Sequence, residues 1–76
     1  GGYDKKDVLE KIDAFMSLVM KIQKGTSSAE AKEELIKIKN MPLREVDENT
    51  EGFSKLDTNG YFTQLEHNVV AYFKQP

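Results

Sequence analysis

The sequence predicts an all-α fold of three helices, two of them long and heptad-patterned, joined by a shorter one. Three observations point there. Apolar residues recur at alternating steps of four and three in two separate stretches. Each stretch follows a glycine, an aromatic residue and a helix-capping residue. The two stretches share one pattern at an offset of 50 residues: Gly52 falls on Gly2, Phe53 on Tyr3, Lys55 on Lys5, Asp57 on Asp7, Phe62 on Ile12, Leu65 on Phe15 and Val69 on Val19. The chain is therefore read as one small domain, 1–76, holding a duplicated unit (copies 2–24 and 52–74) around a linker helix at 27–40.

The first helix is expected over 4–24. Asp4 suits the N-cap, and Asp7 sits where a helix N-terminus favours negative charge. Val8, Ile12, Phe15, Val19 and Ile22 form the seam, with Leu9, Met16, Leu18 and Met20 widening it. So wide a stripe needs more than one partner surface. Lys21 and Lys24 complement the last turn, and Gly25 suits the C′ position. In the second helix Ser27 and Glu30 spell a capping box. Ala31, Leu35 and Ile38 share its inner face, Ile36 lies at the edge, and Glu33 precedes Lys37 by one ion-pair step. Asn40 and Pro42 end it. Met41, Leu43 and Val46 are apolar enough to pack across a helix end, while Asp47 to Glu51 should be solvated.

The third helix, expected over 54–74, has a competing reading in which Thr58-Asn59-Gly60 turns the chain. The repeat favours continuity. Ser54 caps, Asp57 takes the N3 position, and Thr58, Phe62, Leu65, Val69 and Tyr72 copy the first seam. Gly60 inside a helix costs about 1 kcal/mol relative to alanine, which the long apolar face offsets. The two seams are expected to cover each other or a second copy, giving a coiled-coil-like dimer. Phe15, Met16, Val19 and Met20 also suit a partner surface, because methionine-rich faces adapt to several ligands.

Composition narrows the function classes. A 76-residue chain buries only about 60% of its unfolded surface. Without cysteine it has neither a disulfide nor a thiolate metal site, as suits a reducing cytoplasm. Net charge −2 and pI 5.3 give no basic footprint for nucleic acid. A helix-turn-helix reading fails on the same ground, since Lys55 and Lys74 stand at opposite ends of the third helix. Neither a membrane span nor a signal peptide is expected. His67 is the one histidine and has no second ligand or nucleophile to work with. Ser27 and Ser28 read as caps. The carboxylates Glu30, Glu33 and Glu34 lack an apolar pocket that would tune them for acid-base work. Lys55 to Glu66 fits a twelve-residue calcium-loop register at several positions, but Lys55 stands where the first aspartate ligand belongs. No enzyme activity, metal or cofactor is expected.

The pattern Gly52-Phe53, Thr58-Asn59-Gly60-Tyr61-Phe62, Leu65 resembles the signature of DivIVA-domain proteins, roughly GY, four residues, VD, one residue, F/Y, L, two residues, L. Thr58 replaces its aliphatic residue. The copy Gly2-Tyr3, Val8, Ile12, Phe15 keeps the glycine, the aromatic and the seam, with Leu9 at the acidic position and Lys11 at the second aromatic one. The resemblance implies a cytoplasmic, self-associating scaffold, a parallel dimer that recruits division or wall-synthesis partners at the septum or poles. It also implies membrane contact through apolar and basic residues before the glycine. Here those positions are Gly1, Thr50 and Glu51, which neither insert nor pair with anionic lipid. Protein partners, itself included, are the expectation; membrane contact is not.

Overall fold

The computed structural model describes residues 1–74. The chain folds into α1 (Lys5–Gln23), α2 (Ser28–Lys39) and α3 (Lys55–Phe73). Every helix starts at the cap its sequence announces. The Asp4 carboxylate accepts from the Asp7 N–H, the Ser27 hydroxyl from Glu30 and the Ser54 hydroxyl from Asp57. Each bond satisfies one of the four orphan donors at a helix start. α1 stops in a Schellman turn: Thr26 N–H donates to the Lys21 carbonyl and Gly25 N–H to that of Ile22. Gly25 holds φ +98° there, a conformation a side chain resists.

α3 runs unbroken through Thr58-Asn59-Gly60. Beyond its chain neighbours and the helix's own backbone, nothing lies within 4 Å of where a Gly60 Cβ would stand, so this glycine weakens the helix without making room for a tertiary contact. Gln64 and Asn68 bond one turn apart on its outer face.

Cross-contacts set the directions. Lys21 meets Glu34 at 3.4 Å, whereas Lys11 reaches the Lys39 carbonyl at 3.4 Å, so α2 runs antiparallel to α1. Glu66 meets Lys39 at 2.8 Å while Phe73 lies under Lys32, so α3 is antiparallel to α2 and parallel to α1. Helix α1 packs against both others. One apolar core joins Val8, Phe15 and Leu18 to Ala31, Leu35 and Ile38 and to Phe62, Leu65 and Val69. The Phe15 and Phe62 rings stack 5.8 Å apart. Thus the two seams cover each other within one chain, with α2 closing the core. The expected Glu33–Lys37 pair does not form among the described residues; α2 spends its charges on its neighbours instead.

Candidate functional site

Both long helices are launched from the same end, where the two glycine-aromatic motifs meet. Tyr3 and Phe53 form an antiparallel pair and exchange N–H to carbonyl bonds of 2.9 Å in both directions. The glycines make that approach possible. A Cβ on Gly2 would stand 2.4 Å from the Phe53 carbonyl oxygen, and one on Gly52 would stand 2.4 Å from the Tyr3 carbonyl oxygen. Gly2 also has φ +98°. The contact is reciprocal: each copy presents to the other what it receives, the hallmark of a two-fold, isologous interface. Around it, Tyr3 donates its hydroxyl to Asn59 at 2.9 Å, and the Lys5 ammonium lies 5.6 Å above the Phe53 ring.

A third extended segment, 44–46, lies on the free side of Tyr3. Asp4 N–H donates to the Arg44 carbonyl at 2.8 Å, and Val46 N–H donates to the Gly2 carbonyl at 2.9 Å. The Arg44 side chain then grips Asp7. Its Nε and Nη2 donate to the two carboxylate oxygens at 2.9 Å each, and its backbone N–H adds a bond of 3.0 Å. Asp7 is 9% exposed, so a lone charge there would be costly. The Arg44 hydrogen bonds hold its carboxyl far below the usual carboxylate range, and Asp7 raises Arg44 in turn. Beside this, Lys55 pairs with Glu45, and that hydrogen bond raises the lysine.

Lys11, one turn before Phe15 on α1, serves a different contact. Its ammonium donates to the Lys39 and Met41 carbonyls at 3.4 and 3.2 Å and sits 5.2 Å above the Phe62 ring. It closes the C-terminal end of α2, where cations are favoured. Burial pushes its pKa down, against the pull of Glu66.

The seam residues divide by depth. Val8, Phe15, Phe62, Leu65 and Val69 are buried, and Ile12 and Val19 pack half-buried against them. Two sequence assignments shift. Tyr72 and Phe73 are both half-buried, and it is Phe73 that packs against the core. A straight helix drifts relative to a strict seven-residue repeat, so the contact line slips from Leu65 and Val69 to the next i+4 position. Met16 points out, 40% exposed, while Leu18, assigned to the flank, is fully buried. Leu18 lies beside Thr26, Glu30 and Glu34, on the side covered by α2.

Met16 is one of three. Leu9, Met16 and Met20 are 53%, 40% and 54% exposed, and their spacing puts them on one line of α1. They form an apolar stripe facing away from the core. The sequence marks all three as apolar surface; nothing in it signals that Arg44, the chain's single arginine, would grip Asp7 of the first motif copy from within the linker.

His67 is exposed on α3. The calcium-loop register from Lys55 to Glu66 is helical throughout, so it provides no loop to wrap an ion. Among the described residues no group of acidic or histidine side chains converges as metal ligands, and no described helix is long and apolar enough to cross a membrane. Comparison with protein-family models, with curated proteins and with solved structures finds no match for this chain.

Proposed function

We propose that this chain is a non-enzymatic, self-associating scaffold or adaptor module of the DivIVA kind, acting in bacterial cell division or polar organisation from the cytoplasmic side. The observation that carries the self-association is the Leu9, Met16 and Met20 stripe: three large apolar side chains left on one line of α1 after the core is complete. Burying such a line against its own copy in a second molecule removes apolar surface from water at about 25 cal/mol per Å². The reciprocal Gly2-Tyr3 and Gly52-Phe53 contact supports the family reading, because a motif that pairs with itself is what a dimerising unit carries into a tandem duplication. The division and polar roles rest on the resemblance alone.

Light scattering tests it. The native chain at high micromolar concentration should have the mass of a dimer or larger, and Met16→Glu should return it to monomer. The substitution is at an exposed position, so at concentrations low enough for the parent to be monomeric its unfolding stability should stay within about 0.5 kcal/mol of the parent. A native chain that remains monomeric across that range removes the self-association.

A further inference from the structure

The two motif copies differ on one edge. On the first copy, segment 44–46 pairs with the outer edge of Tyr3: the Gly2 carbonyl accepts from Val46 and the Asp4 N–H donates to Arg44. On the second copy the equivalent groups are the Gly52 carbonyl and the Ser54 N–H. Among the described residues neither has a hydrogen-bond partner. The equivalent of Asp7 is Asp57, at the same N3 position of its helix. Asp7 is buried under Arg44; Asp57 is exposed and makes no ion pair among the described residues. One of the three atoms nearest a Cβ on Gly52 is a Val46 methyl, whereas the three nearest Gly2 are all backbone. Next to this edge Leu56 stands 83% exposed.

We infer that the edge at 52–54, with Asp57 beside it, is a docking site for an extended segment of another protein carrying arginine two residues before an aliphatic residue. The chain itself displays the occupied form, Arg44-Glu45-Val46 on the first copy, in which backbone pairing gives the register and the arginine fork on the carboxylate gives the specificity. An unpaired edge of this kind is a template for strand addition. A second copy of this chain is the poorer occupant, because its only arginine is already bound to its own Asp7. The inference deepens the adaptor reading by naming the chemistry of a partner, and it does not depend on self-association.

The probe is a fluorescent peptide of the sequence Pro-Leu-Arg-Glu-Val-Asp, titrated against the full chain by anisotropy and followed by amide NMR. Binding should be saturable and should shift the Phe53, Ser54 and Asp57 amides. Changing the peptide arginine to alanine, which leaves the protein untouched, should weaken binding by about tenfold or more, as should Asp57→Asn, because each removes hydrogen bonds to a charged group. Failure to bind at millimolar peptide overturns the inference. So do shifts confined to Asp4 and Asp7, which mean displacement of the internal segment, and binding indifferent to the arginine. A monomeric chain that binds the peptide keeps this site and loses the self-association; a dimer that ignores the peptide does the reverse.

Discussion

Replacing Gly52 with alanine tests the pairing of the two motifs most directly. The new methyl would stand 2.4 Å from the Tyr3 carbonyl oxygen and 2.9 Å from a Val46 methyl. The valine can turn aside. The carbonyl cannot, because the Phe53 N–H holds it at 2.9 Å. Ordinary contact therefore requires the two extended segments to part by about an ångström, which breaks both Tyr3–Phe53 bonds. At about 1 kcal/mol net for each bond, with lost packing under Val46, the change should cost about 2–4 kcal/mol in all. A 76-residue chain holds only on the order of 4–11 kcal/mol, so much of its stability goes. Gly60→Ala is the internal control. Its Cβ meets nothing, and a helix interior prefers alanine by about 1 kcal/mol, so this variant should gain. Urea unfolding followed by far-UV circular dichroism measures both. In a domain of this size each kcal/mol moves the thermal midpoint by roughly 4–8 °C, so the two variants should separate widely on opposite sides of the parent. A Gly52→Ala chain as stable as the parent would refute the reciprocal contact as drawn.

The Asp7–Arg44 pair makes stability depend on acid. The folded carboxyl titrates below its unfolded value, so the unfolded chain takes up the proton first. The contribution is complete above about pH 4 and is lost as pH falls through the folded value. Asp7→Asn should lower the urea midpoint at neutral pH, and the gap to the parent should narrow as the solution is acidified below about pH 4; a gap independent of pH would show that the pair is not the cause. Neighbouring positions test the phase of α1. Phe15→Ala empties a buried site stacked on Phe62 and should cost about 3–5 kcal/mol, a large share of the total stability. Met16→Ala, measured where the chain is monomeric, should change unfolding stability by no more than about 0.5 kcal/mol. Equal losses of helical signal in the two variants would mean that α1 is rotated from the position described.

Much of this fold is written locally. Asp4, Ser27 and Ser54 cap because a short side-chain oxygen reaches the N3 amide of its own helix. Gly25 ends α1 because only glycine takes its φ cheaply. Ala31, Leu35 and Ile38 are buried and Ile36 is exposed, as their spacing on a 3.6-residue helix requires. The continuity of α3 across Asn59-Gly60 was also legible, because the apolar spacing on either side of the glycine stays in phase. These are interactions among residues a few positions apart.

The rest was decided by what each helix meets. The spacing of apolar residues on α1 leaves Leu18 and Met16 equal claims to the interior. The placing of α2 and α3 on two sides of α1 buries Leu18 and turns Met16 outward with Leu9 and Met20. Likewise, the sequence marks Gly2 and Gly52 as a repeat, but not that each glycine makes room for the other copy's carbonyl. Nothing near Arg44 in the chain foretells that it will neutralise Asp7, because the two side chains meet only once α1 and the linker have closed the same end of the domain. Local order follows from bonds within one helical turn; burial, pairing and the free edge of the second motif follow from segments far apart in the chain excluding water together.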